Sequence, residues 1–224
     1  MESLSAAGLA VAAGYLCGSL PFAWIAVKVR TGTDLRTTGS GNVGATNAAR
    51  VLGKAWFPPL FALDAAKGAG AVLMAGGLSG GVPGDPDWIR IAGAAGAILG
   101  HVFPCWIGFR GGKAVAAGAG AVLVLSPWAA AAGFAGFLLA AAGWRFVSIG
   151  SIAAAVGAAG AQGWVSRGTP AGDRLPVEGF LWLLALVVLL LHVPNLRRIA
   201  AGTEPRIFGK HASPAAGKEP ARED

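Results

Sequence analysis

The run AVAAGAGAVLVLSPWAAAAGFAGFLLAAAGW, residues 114–144, holds 31 positions without a charge. As one α-helix it would be about 46 Å long at ~1.5 Å per residue. That exceeds the ~30 Å hydrocarbon core of a bilayer. Ser126-Pro127-Trp128 interrupts the run, because proline lacks the N–H that a helix interior needs. The run therefore reads as two membrane helices, both shorter than usual. Outward from it, residues 6–27, 56–78, 89–102, 147–165 and 179–196 are apolar enough for further spans. The expectation is an all-α, polytopic integral membrane protein with seven transmembrane helices. The first segment follows Glu2 with no Lys or Arg before it, unlike a secretory signal, and reads as a retained helix.

Composition agrees. Of 224 residues, 54% are hydrophobic and 13% charged, and the mean hydropathy is +0.60. Soluble domains carry about 25% charged residues. Gly occurs 36 times, and small residues let membrane helices pack closely. Cys17 and Cys105 form no metal motif, and no disulfide is expected of them. No cofactor and no metal site is expected, since His101, His192 and His211 lack ligand spacing.

The net charge of +7 matters through its placement. With the N-terminus outside, residues 28–55, 103–113, 144–150 and 197–224 are cytoplasmic and contain 14 of the 18 Lys and Arg. The positive-inside rule selects this orientation, with the C-terminus cytoplasmic. These basic residues sit in membrane loops, and no nucleic-acid partner is read from them. Residues 1–204 form a single membrane-embedded domain, and 205–224 form a polar tail expected to be disordered.

Every loop rich in Gly, Asn and Ser falls on the cytoplasmic side. The first is GSGNVGATNAAR, Gly39 to Arg50. Gly39, Gly41 and Gly44 let backbone N–H groups converge on an anion. Ser40, Asn42, Thr46 and Asn47 add neutral hydrogen-bonding groups, and Arg50 supplies a planar fork suited to phosphate. The plainer reading is a flexible loop with Arg50 snorkelling to the interface. The second loop, FRGGKAVAAGAG, places Gly111, Gly112 and Lys113 at the start of an apolar helix, where amides and dipole favour an anion. It is not a Walker motif, since no Ser or Thr follows Lys113; simple anchoring by Arg110 and Lys113 is the alternative. His101 just before it reads as an acid/base group or a structural hydrogen-bonding residue.

The third stretch, HVPNLRRIAAGTE, sets His192 and Asn195 three apart on one helix face, or makes them an end-of-helix cap. Glu204 reads as a structural partner for a nearby arginine. Asp64 and Lys67 in DAAKG are costly in a bilayer unless paired. They form a structural pair, or Lys67 neutralises a substrate phosphate. Ser148 and Ser151 share the cytoplasmic start of a helix. No HxxxxD box, GxSxG elbow or sequence-local triad is present.

Together these residues resemble the bacterial acyl-phosphate-dependent glycerol-3-phosphate acyltransferases, the PlsY type. The similarity runs from about Gly14 to Glu204, with the three motifs in order. The resemblance implies seven helices with the N-terminus outside, and a cytoplasmic-face active site in the cell (inner) membrane. It implies acyl transfer from acyl phosphate to the 1-hydroxyl of sn-glycerol 3-phosphate. The products are lysophosphatidic acid and phosphate, and this is the first step of phospholipid synthesis. It implies catalytic roles for Ser40, Arg50, His192 and Asn195, and a phosphate loop at Gly111, Gly112 and Lys113. Glu204 would be structural, and the enzyme that produces acyl phosphate would be a functional partner. Arg110, Ala114 and Ala117 depart from the family's usual Lys, Gly and Thr. Two rivals are a small phospho-substrate permease and a phospholipid-modifying transferase with another donor. The first is weakened by the absence of repeated halves.

Overall fold

The computed structural model describes residues 2–78, 86–168 and 171–207. The expected disorder of the tail falls almost wholly on residues outside these. Among the described residues there are nine α-helices and no strand. They are α1 (Glu2–Gly18), α2 (Phe22–Thr31), α3 (Ala45–Leu52), α4 (Phe57–Leu78) and α5 (Pro86–Val102). Then come α6 (Val115–Leu125), α7 (Pro127–Trp144), α8 (Val147–Val165) and α9 (Ala171–Ala200).

The split within residues 114–144 falls where the sequence puts it. Ser126 caps α7 by accepting from the Ala129 amide at 3.4 Å, and Pro127 opens the helix. At 11 residues, α6 is only about 16 Å long. Among the described residues, five segments are long and apolar enough to cross a bilayer: Leu4–Thr31, Lys54–Leu78, Asp87–Ile107, Pro127–Trp144 and Leu175–Ala200. α8 is long enough, but its Ala, Gly, Ser and Gln162 leave it less apolar than those five.

One expectation is corrected. The first apolar segment is not one helix, because it breaks at Ser19-Leu20-Pro21. Pro21 has no N–H to continue the ladder. The Leu20 carbonyl instead accepts from the buried Lys67 ammonium at 2.9 Å. Lys67 also pairs with Asp64 at 2.9 Å, the two side chains being 4% and 3% exposed. A buried pair holds only with its remaining hydrogen bonds satisfied, so the helix break and DAAKG form one structural unit.

Glycine and alanine set the closeness of the helices. A Cβ on Gly14, Gly18, Gly96 or Gly100 would stand 2.1–2.3 Å from a backbone carbonyl across the α1–α5 crossing. Gly68 and Gly120 do the same at α4–α6, at 1.9 and 1.8 Å. The main apolar core joins α4, α5, α6, α7, α8 and α9 around Val72, Ile98, Val122, Ala158, Leu181 and Val188. A smaller core ties α2, α3 and the start of α4 through Val27, Leu35, Ala48 and Leu60, and holds the first loop against the bundle.

Candidate active site

The first loop is shaped by its own residues. Gly39 and Gly41 have φ of +56° and +71°, a region that favours glycine. Asn47, 1% exposed, accepts from the Ser40 amide at 3.0 Å and donates to the carbonyls of Thr38 and Leu35 at 3.0 and 3.3 Å. Arg36 fastens the loop's entry. It grips Asp34 at 2.6 Å and donates to the Ile107 carbonyl at 2.6 Å, while Trp24 donates to Asp34 at 3.0 Å. The guanidinium holds the Asp34 carboxyl well below the usual carboxylate range.

The second loop meets the first where the Val43 amide donates to the Gly111 carbonyl at 3.4 Å. The Gly111 and Gly112 amides donate to the Val102 and His101 carbonyls at 3.0 and 2.9 Å. The loop then passes Ala114, at φ +62°, into α6. Lys113 donates to the Asn195 side-chain oxygen. Asn195 in turn donates to Glu204 at 2.7 Å. Glu204 also accepts from Ser148 at 3.2 Å and from Arg198 at 2.8 Å. One buried carboxylate thus links α8, α9, the chain beyond α9 and the second loop. Burial, aided by Arg198 and Arg50 and opposed by Glu204, pushes the Lys113 ammonium down to about 8.

His192 Nδ1 lies 2.7 Å from the Val188 carbonyl. A carbonyl can only accept, so Nδ1 carries the hydrogen, and the neutral ring keeps a lone pair on Nε2.

These groups line a cavity of about 470 Å³. Its polar end gathers Ser40, Asn42, Thr46, Arg50, Lys113, Ser148, Ser151, His192 and Asn195. Its other end is apolar, formed by α6, α7, α8 and α9 side chains such as Phe134, Ala155 and Leu184. Among the described residues, Arg50 and Lys113 are the two Lys or Arg side chains on its wall.

Several residues expected to touch substrate do other work. Asn47 lines the cavity, but its amide is engaged by the loop. Gly39 and Gly41 shape the turn and are not on the wall. Gly111 and Gly112 are not on the wall either, and their amides are taken by carbonyls. They cannot cradle a phosphate in this conformation. Gly112 is required by closeness instead, since a Cβ would sit 2.1 Å from His101 Nε2 and 2.8 Å from the Val43 carbonyl. Lys67 lies off the large cavity, its ammonium held by Asp64 and Leu20. His101 reaches the wall beside Asp64. Its Nδ1 has no hydrogen-bond partner among the described residues and stands 3.8 Å from Asp64. The Ser151 hydroxyl donates to the Val147 carbonyl at 2.9 Å, so it offers a ligand only its oxygen.

Sequence reading missed the apolar end of the cavity, because no motif marks a wall made of Ala, Val, Leu and Phe from four helices. The nearby arginine expected to pair with Glu204 is Arg198, at 2.8 Å.

The family model described as glycerol-3-phosphate acyltransferase matches residues 8–202. The chain belongs to the glycerol-3-phosphate acyltransferase family. A glycerol-3-phosphate acyltransferase of Anaeromyxobacter dehalogenans is 43% identical over 200 residues, covering 89% of this chain and 96% of that one. One from Synechococcus sp. is 40% identical over 212 residues, covering 95% and 98%. Among solved structures, the glycerol 3-phosphate form of PlsY, an integral membrane glycerol 3-phosphate acyltransferase, superposes with a TM-score of 0.78. It is 35% identical and covers 91% of this chain and 96% of its own. The lysophosphatidic acid form gives 0.75 and 33%, covering 91% and 95%. In this PlsY-type acyltransferase Arg50, Lys113, His192 and Asn195 all line one cavity.

Proposed function

We propose that the chain transfers an acyl group from acyl phosphate to the 1-hydroxyl of sn-glycerol 3-phosphate, giving lysophosphatidic acid and phosphate. The observation that carries this reading is that one cavity has both a cationic mouth and an apolar interior. It matches an amphiphile whose head is a phosphate. Arg50 and Lys113 hold substrate phosphates and offset their repulsion. Ser40, Asn42 and Thr46 hydrogen-bond the same groups. His192 and Asn195 orient the acceptor. The acceptor hydroxyl oxygen attacks the acyl carbonyl carbon. The new C–O bond forms as the bond from carbonyl carbon to phosphate oxygen breaks, and phosphate leaves with the electron pair. The hydroxyl proton passes to His192 Nε2 or to a substrate phosphate oxygen. Acyl phosphate is already activated, so positioning and charge neutralisation supply the rate, with no acyl-enzyme on Ser40. Glu204 and Asn47 position these groups without touching substrate, and no cofactor takes part.

In this reading residues 1–204 are one domain of seven spans in the bacterial inner membrane, with α6 one of two short ones. The N-terminus is outside and the site faces the cytoplasm. Two cation–aromatic pairs suit the two rims, Arg30 over Trp56 at 5.1 Å and Arg167 over Trp164 at 4.2 Å. The enzyme that makes acyl phosphate is the functional partner. Incubation of the purified protein with acyl phosphate and labelled glycerol 3-phosphate tests the reaction. Lysophosphatidic acid and inorganic phosphate should appear in equal amounts. Acylation at another hydroxyl, or no phosphate release, would contradict it.

A further inference from the structure

On all four helices the cavity wall ends within the main apolar core. The deepest lining residues are Val122 on α6, Ala130 on α7, Ala158 on α8 and Leu181 on α9. Val122, Ala158 and Leu181 are 5%, 7% and 2% exposed, so the helices close against one another at this depth. One turn further on stands a polar bridge, in which Ser126 donates to the Gln162 side-chain oxygen at 2.6 Å. Gln162 follows Ala158 by four residues on α8 and shares its face. Neither Ser126 nor Gln162 lines the cavity. The Gln162 amide nitrogen also donates to Ser166 at 2.9 Å, so an alkyl chain extending past the floor would meet a bonded polar group, which is costly to pull apart in an apolar setting.

The depth is readable from helix rise. His192 and Leu181 are eleven residues apart on α9, and Ser148 and Ala158 ten apart on α8. At ~1.5 Å per residue both give about 15–17 Å, half of the ~30 Å hydrocarbon thickness of a bilayer. A chain attached to a carbonyl at the His192 level and reaching the floor is then as long as one leaflet is deep.

We infer that Val122, Ala130, Ala158 and Leu181 form the floor of an acyl-chain ruler, backed by the Ser126–Gln162 bridge, that sets the longest acyl group the enzyme accepts well. This rests on the reading that the apolar end of the cavity takes the acyl group. Methylenes that reach the floor gain burial, whereas those that would pass it meet closed packing and a hydrogen-bonded amide.

The test is acyl transfer with a series of acyl phosphates differing by two carbons, comparing kcat/KM for each. In Ala158→Leu the side chain lengthens by about 2.5 Å, two carbon–carbon steps, so the optimum should move about two carbons shorter. KM for glycerol 3-phosphate, bound at the other end, should stay within about twofold. Ala130→Leu, at a half-buried position, should move it the same way and serves if Ala158→Leu does not fold. Leu181→Ala should move it longer. Variants that remain active with an unmoved profile overturn the ruler, because the chain then leaves the cavity sideways between helices. No transfer from acyl phosphate of any length by the unaltered protein overturns the donor assignment and the ruler with it.

Discussion

Lys113 is the titrating group of the cavity mouth. Its ammonium, pushed down to about 8 by burial and by Arg198 and Arg50, is charged below that pH and neutral above it. A phosphate dianion binds the charged form, so kcat/KM for glycerol 3-phosphate should fall as the pH rises through about 8. In the complex the anion raises the lysine's affinity for its proton, so kcat at saturation should hold to higher pH. Lys113→Arg keeps the charge at every working pH; its kcat/KM should be lower but should lose the alkaline fall. A pH–rate series on both proteins checks this. Arg50 should be less replaceable. Losing a charged, planar phosphate fork removes roughly 3 kcal/mol, so Arg50→Ala should lower kcat/KM about a hundredfold, with the protein still inserting and purifying. Residue types pointed to these two groups because a guanidinium and an ammonium beside glycines have few other uses at a membrane surface. The same logic says less at Gly111 and Gly112. Glycine marks close approach, but the sequence does not say to what: Gly111 meets the His101 and Val102 carbonyls, and Gly112 the His101 ring and the Val43 carbonyl.

Elements place those residues, and their joints are specific. The second loop is wedged between His101 and Val43, so Gly112→Ala must push it outward and carry Lys113 away from Asn195. KM for glycerol 3-phosphate should then rise more than kcat falls. Steady-state kinetics at saturating acyl donor resolve the two, and an unchanged KM would detach the loop's position from acceptor binding. The break in the first segment is a second joint. Lys67→Met leaves Asp64 buried without its cation, which should destabilise by about 3–5 kcal/mol, whereas Asp64→Asn together with Lys67→Met should recover most of it. Thermal unfolding in detergent compares the three proteins. The split at Ser126-Pro127 was legible because proline and length pointed the same way. The break at Pro21 was not, because the segment around it is the right length for one span, and only the tertiary partner Lys67 shows where the freed carbonyl goes.

For the whole molecule, charge and apolarity carry the reading and leave one step to measurement. The helical class was legible from the uncharged runs. How three distant motifs are held together was not, since it depends on Glu204 folding back to Asn195 and Ser148, and on glycine-lined crossings that no periodicity reveals. With the N-terminus outside, Thr33→Cys in a background lacking Cys17 and Cys105 should label in intact cells only with a permeant thiol reagent. Pro86→Cys should label with an impermeant one. The reverse pattern would turn the site to the outer face.

The most direct test of the account is donor choice by the purified protein with labelled glycerol 3-phosphate. Acyl phosphate should support formation of lysophosphatidic acid, acyl-CoA and acyl carrier protein should not, and Arg50→Ala should lose the acyl-phosphate reaction. Comparable turnover with acyl-CoA, or activity unaffected by Arg50→Ala, would contradict a phosphate-gripping cavity as the seat of the reaction.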